Sequence, residues 1–156
     1  MIHYIKDNKK RKFFLKLSFV LFFLYIFLLV YLLFFGFYRQ QVTVRDYNVI
    51  PFRTITMFME GKYHFSSRTI FNNLLGNVLA FMPLGFFLQL LFFKKKSIFR
   101  IFVISFITSS LVECIQYYFR IGGFDVDDIL LNSIGGMFGS IVFLLLFSIL
   151  SIRGSI

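Results

Sequence analysis

Long apolar runs dominate the chain and are separated by short basic or polar stretches. Four runs, at about 13–35, 74–93, 98–118 and 129–152, each hold about the 20 residues that a helix needs to cross a bilayer. A helix satisfies its own backbone hydrogen bonds, so it is the expected form of a span in lipid. The pattern predicts an all-α, integral membrane four-helix bundle, with a single domain over 1–156.

The orientation follows from the positions of the basic residues. The N-terminal stretch "KDNKKRK" and Lys94, Lys95 and Lys96 flank the same side of the predicted bundle, and cytoplasmic flanks are enriched in Lys and Arg. The first run is too long for a signal-peptide core, and "FFGFYRQQ" offers no small-residue cleavage site, so we expect a retained helix. The sequence thus predicts a multi-pass protein of the cell membrane with both termini in the cytoplasm.

The connection at about 36–72 is long for a compact domain, and long connections are usually functional or disordered. Within it, "YNVIPFRTITMFMEG" has Pro51 to open a helix and Gly61 to end one. Phe52, Ile55 and Met59 fall on one helical face. Two interpretations remain open for this stretch, a short helix on the outer membrane surface and a turn with buried aromatic side chains.

Polar residues recur at helical spacing in three of the four runs. The stripes are Asn73, Asn77 and Ala80 in the second run, Ser105, Ser109, Glu113, Gln116 and Arg120 in the third, and Asp128, Asn132, Gly135 and Gly139 in the fourth. At about 1.5 Å rise per residue, Asn77, Glu113 and Asn132 lie at similar depths below the outer ends of their helices. Burying unpaired polar groups in lipid is costly, so we expect a polar cluster near the outer leaflet.

Carboxylates inside a membrane favour a functional interpretation. Glu113 is accompanied by two further carboxylates, those of Asp125 and Asp128. The alternative is that Glu113 is protonated or paired, and serves only to hold helices together. Asp127 points about 100° away from Asp128, so we expect a solvated charge at a helix start. Either Asp125 or Asp127 would cap that helix. We expect Cys114, which points off the stripe, in the core.

Two features of the helices concern packing. Gly135 and Gly139 form a GxxxG pattern that permits close helix approach. Pro83 would remove the hydrogen bond to the carbonyl of Leu79 and kink its helix.

Composition narrows the possible functions. The net charge of +10 lies in short basic runs beside apolar segments, which excludes a nucleic-acid-binding face. With one cysteine and two distant histidines, the sequence has no zinc spacing, and it predicts no metal and no cofactor. It also lacks GxSxG, HExxH and P-loop motifs.

Four short pieces together resemble the VanZ family of bacterial membrane proteins. They are "NVIPF", "NNLLGNVLAFMPLGFFL", "VECIQ" and "DVDDILLNSIGGMFG", and the resemblance runs over 48–139. It implies association with glycopeptide resistance, especially to the lipid-tailed teicoplanin, and a location in the cell membrane. It implies no catalytic mechanism. Arg120 lies between two of the four pieces and is not tied to the family pattern, so its role rests on helical spacing alone.

Three functions compete. The first is a resistance factor whose outward polar site meets a teicoplanin-like amphiphile or a lipid-linked wall precursor in the bilayer. The second is a membrane-embedded enzyme in which Glu113 and Asp128 act as acid and base or hold a divalent cation, and the third is transport through an oligomer. The candidate binding residues are Arg53, Asn73, Asn77, Glu113, Gln116, Arg120, Asp125, Asp128 and Asn132.

Overall fold

The described part of the protein is helical almost throughout, with one very short sheet. A computed structural model describes residues 8–36, 47–60, 67–93 and 97–153. The elements in chain order are helix α1 (Asn8–Val30) with a π-helical continuation (Tyr31–Phe35), strand β1 (Tyr47–Asn48), helices α2 (Arg53–Met59), α3 (Ser67–Leu91) and α4 (Ile98–Phe119), strand β2 (Phe124–Asp125) and helix α5 (Val126–Arg153). The four long helices are apolar enough to cross a membrane, which confirms the predicted all-α membrane bundle.

Three of the four long helices, α1, α3 and α5, begin before the apolar runs that predicted them. Helix α3 begins at Ser67 rather than near 74, and α5 begins at Val126 rather than near 129. Polar residues at the ends continue the helical backbone without adding to the apolar pattern. The start of α5 has a clear cause, because the Asp125 carboxylate accepts a hydrogen bond from the backbone N–H of Asp127 (2.8 Å) and caps the helix.

Helices α3 and α5 make the most extensive contact in the protein. A Cβ atom on Gly139 would lie 1.7 Å from the carbonyl oxygen of Met82, and one on Gly135 would lie 2.2 Å from that of Val78. Only glycine permits this separation, so the predicted close approach at the GxxxG pattern is confirmed.

Helix α1 packs at the edge of the bundle. Its Leu29 and Leu33 join Phe81, Leu84 and Val112 in one buried apolar cluster. The hydroxyl of Tyr25 donates a hydrogen bond to the carbonyl of Ala80 (2.7 Å). The neighbouring carbonyl, that of Leu79, lacks its helical donor because Pro83 has no backbone N–H. Helix α3 nevertheless runs unbroken through Pro83.

The outward faces of the long helices carry large apolar side chains, as lipid contact requires. Leu79, Ile107 and Leu145 are each more than half exposed in the protein alone. Cys114 lies on such a face and is exposed, so the expectation that it belongs to the core is wrong. Its position off the polar stripe was inferred correctly, but in a membrane helix the side away from the polar stripe faces lipid.

Residues 47–60, which we call the strap, lie across one end of the bundle. Tyr47 and Asn48 pair in parallel with Phe124 and Asp125, a sheet that the sequence did not predict. Helix α2 follows, which decides between the two interpretations of this stretch in favour of a helix. Its placement on the membrane surface stays a prediction.

Candidate functional site: an acidic cluster under the strap

Four carboxylates gather where α4 ends and α5 begins. Glu113 on α4, Asp125 in β2 and Asp127 and Asp128 on α5 form this acidic cluster. Glu113 and Asp127 are buried, with 2% and 0% exposure, whereas Asp125 and Asp128 are half-buried. The strap covers the cluster on one side, so its contacts decide what each carboxylate does.

Asp127 caps the helix of the strap. Its carboxylate accepts hydrogen bonds from the backbone N–H groups of Phe52, Thr54 (2.7 Å) and Ile55 (3.2 Å). These are orphan donors at the start of α2, where the helix dipole also favours a negative charge. The expectation of a solvated Asp127 is therefore wrong. The rotation away from Asp128 was correct, but a segment more than 70 residues earlier in the chain occupies that side.

Asp125 joins the strap to α5. One carboxylate oxygen accepts from the side-chain amide of Asn48 (2.9 Å) and from the N–H of Asp127, and the other accepts from the hydroxyl of Thr54 (2.6 Å). Asn48 also closes a local turn by accepting from the N–H of Ile50 (3.1 Å). The sequence alone did not identify Asn48 and Thr54 as partners of the acidic cluster. The Asn-x-x-Pro sequence that opens the strap is a turn signal and was the available clue.

Glu113 and Asp128 connect the cluster to the long helices. Glu113 accepts a hydrogen bond from the backbone N–H of Asp125 (3.1 Å), and Asp128 accepts one from the side-chain amide of Asn77 (2.6 Å). Polar residues of α3, α4 and α5 thus meet at the same end of the bundle, as expected from the depths of Asn77 and Glu113, whereas Asn132, expected at the same depth, lies deeper.

The remaining residues of the predicted polar stripes lie deeper in the bundle than the acidic cluster or bind partners outside it. Asn132 donates to the hydroxyl of Ser109 (2.8 Å), one helical turn further into the bundle. The side-chain amide of Gln116 donates to the carbonyl of Leu33 (2.7 Å) and binds α4 to the π-helical end of α1. Asn73 is half-buried in the first part of α3.

The two candidate arginines are both exposed. Arg53 opens α2, and Arg120 follows the last residue of α4 with a left-handed backbone (φ 59°). Because α4 ends at Phe119, helical spacing does not extend the polar stripe to Arg120, and that part of the sequence interpretation is wrong. Both arginines lie at the end of the bundle that holds the acidic cluster.

A second polar group, at the opposite end of the bundle, was not predicted. Gln89 is 2% exposed, and its side-chain oxygen accepts from the hydroxyl of Ser140 (3.1 Å) and the N–H of Ser97 (3.3 Å). Its amide nitrogen donates to the carbonyl of Phe93 (3.2 Å). These contacts tie α3, α4 and α5 together and give Gln89 a structural role.

The carboxylates suit uncharged polar groups or cationic groups of a ligand, and the arginines suit its anionic groups. Carboxylates accept hydrogen bonds from hydroxyl, amide and ammonium groups, and Arg binds phosphate or carboxylate. Within the part of the chain that the structure describes, no three His, Cys, Asp or Glu side chains form a group that could hold a metal ion.

Comparison with known proteins agrees with the arrangement of helices and polar residues. The model of the VanZ/LLP1 family matches residues 22–147, a span that includes the last part of α1 with its π-helical continuation, the strap, the acidic cluster and most of α5. The chain belongs to the VanZ/LLP1 family. Similarity to Protein VanZ of Enterococcus faecium, at 32% identity over 75 residues, covers 48% of this chain and 46% of that relative. This VanZ/LLP1 chain thus aligns with about half the length of that relative, and no solved structure matches it.

Proposed function

We propose that this VanZ/LLP1 protein contributes to teicoplanin resistance through an outward-facing polar site inside the membrane. The site consists of Glu113, Asp125 and Asp128 of the acidic cluster with Asn77, and it meets an amphiphilic or lipid-linked ligand. The observation that carries the proposal is a pair of hydrogen bonds, from Asn77 to Asp128 and from the backbone of Asp125 to Glu113, because together they join α3, α4 and the start of α5 through polar groups at one end of the bundle. Polar residues at such depth are costly unless they serve one another or a ligand.

The acyl tail of teicoplanin gives a physical reason for selectivity. Each methylene buried in lipid contributes about 0.8 kcal/mol, so a tailed glycopeptide concentrates in the leaflet beside the site. Vancomycin has no such tail and meets a factor at that depth far less often. Hydroxyl and amide groups of the ligand would face the carboxylates, and its anionic groups would face Arg53 and Arg120.

Expression in a susceptible Gram-positive host tests the proposal. We expect the inhibitory concentration of teicoplanin to rise several-fold over an empty-vector strain, and that of vancomycin to change much less. Asn77→Leu should return teicoplanin tolerance towards the empty-vector level. Leu79→Val, a change on the exposed face of the same helix, is the matched control and should keep it. Immunoblots of membranes confirm equal amounts of protein.

Two results would contradict the proposal. Equal protection against both drugs would indicate altered wall chemistry and would favour the membrane-embedded enzyme, with Glu113 and Asp128 as its candidate catalytic groups. Protection against neither drug would remove the proposed function.

A further inference from the structure

The strap exposes an unusual amount of apolar surface for a segment outside the spanning helices. Tyr47, Val49, Ile50 and Phe52 are each 57–62% exposed, and Met59 is 75% exposed. Five large apolar side chains within 14 residues form a patch that a soluble surface loop would not carry, and such patches mark contact with a membrane or a partner.

The hydrogen bonds of the strap fix its depth. Asp125 and Asp127 at the start of α5 accept five hydrogen bonds from the strap, which come from Asn48, Phe52, Ile55 and, twice, from Thr54. Because α5 spans the membrane, its first turn lies where hydrocarbon gives way to headgroups. The strap is therefore held at that boundary and not above it.

Lipid-facing residues of the neighbouring helices lie at the same end. The last turn of α4 exposes Tyr118 and Phe119, and the first turns of α3 expose Phe71 and Leu75. Aromatic residues at helix ends are typical of the membrane–water boundary. The apolar residues of the strap therefore continue a surface that already faces lipid.

The exposed face of α2 divides into two edges. Within α2, at about 100° per residue, Met59 lies on one edge, Arg53 lies on the other and Thr56 lies between them. Phe52 and Glu60 flank the helix, and all five residues are exposed. This division suits a helix that lies parallel to the membrane, with its apolar edge towards the acyl chains and its charged edge among headgroups. The positive charge of Arg53 complements the phosphates of that layer.

We propose that the strap is an interfacial anchor, which binds the lipids of the adjacent leaflet at the boundary between headgroups and acyl chains. The inference does not depend on teicoplanin resistance or on which side of the membrane the strap occupies. It gives the acidic cluster a second role, because Asp125 and Asp127 hold the anchor at its depth.

Tryptophan fluorescence in liposomes tests the proposal, and the chain has no native tryptophan to interfere. Met59→Trp places a single reporter on the apolar edge, and Ile107→Trp places one on the lipid face near the middle of α4. Vesicles contain phosphatidylcholine brominated either near the headgroup end or near the middle of the acyl chain. Helix content by circular dichroism and a single elution peak in detergent confirm that both variants fold.

We expect bromine near the headgroup to quench Met59→Trp more than bromine at mid-chain, and the reverse order for Ile107→Trp. Asp127→Ala in the Met59→Trp background should weaken the quenching by shallow bromine, because the strap loses three of the five hydrogen bonds that hold it at the start of α5. Strong quenching of Met59→Trp by aqueous iodide, with none by either brominated lipid, would place the strap in water and overturn the proposal. Quenching by neither reagent would mean that a second copy or another part of the protein covers the strap, and dominant quenching by mid-chain bromine would place it in the hydrocarbon core. Either result also refutes an interfacial anchor.

Discussion

At the scale of single residues, two neighbouring aspartates of α5 have different partners. Asp127 is fully buried and binds backbone N–H groups at the start of α2. Asp128 is half-buried and binds the side chain of Asn77 on α3. Helical geometry alone separated the two side chains correctly. It could not identify the partner of Asp127, because that partner lies on a distant segment with no periodic signal.

Substitution of these two aspartates should have unequal effects on stability. Asp127→Asn replaces one carboxylate oxygen with a donor that faces backbone donors, and we expect a loss of about 2 kcal/mol, near the upper range for helix caps. Asp128→Asn is the matched control, since an amide can still accept from Asn77, and its loss should be clearly smaller. Thermal unfolding of the purified proteins in mild detergent measures both. A larger loss for Asp128→Asn, or no loss for Asp127→Asn, would mean that Asp127 does not hold the strap.

At the scale of elements, the sequence predicts those helices and contacts whose physical cause lies within a short stretch of the chain. A spanning helix satisfies its own backbone, so about 20 apolar residues suffice to predict it. The GxxxG pattern likewise predicted the close α3–α5 contact. The two-residue strands β1 and β2 carry no pattern of their own. They form because Asn48 and Thr54 bind Asp125, which the chain's periodicity does not reveal.

The α3–α5 contact gives a test at this scale. Gly139→Ala would place a methyl group against the backbone of Met82, so the helices must separate, and we expect a cost of about 1–3 kcal/mol. Gly76→Ala is the control, because a Cβ atom there meets nothing within 4 Å. Since alanine favours helix more than glycine does, Gly76→Ala should leave stability unchanged or raise it by up to about 1 kcal/mol. Equal losses in detergent unfolding experiments would show that helix propensity, and not close packing, governs these positions.

At the scale of the whole molecule, the apolar pattern predicted the class of fold, and the short motifs predicted the family. The gathering of polar residues at one end of the bundle was predicted in part. Glu113, Asp125, Asp128 and Asn77 do lie at one end of the bundle, whereas Arg120 lies past the end of α4 and Asp127 belongs to the strap contacts. Helix periodicity gives directions around one helix and depths along it, but not the path of a long connection that folds back over the helix ends.

The proposed function requires the acidic cluster and the strap to face the outside of the cell. Cysteine labelling in a Cys114→Ser background measures this directly, with Glu60→Cys at the exposed end of the strap and Lys95→Cys in the basic connection before α4. We expect a membrane-impermeant thiol reagent to label Glu60→Cys in intact cells, and Lys95→Cys only after the cells are permeabilised. Labelling of Lys95→Cys in intact cells, with Glu60→Cys protected, would turn the site towards the cytoplasm and contradict the account.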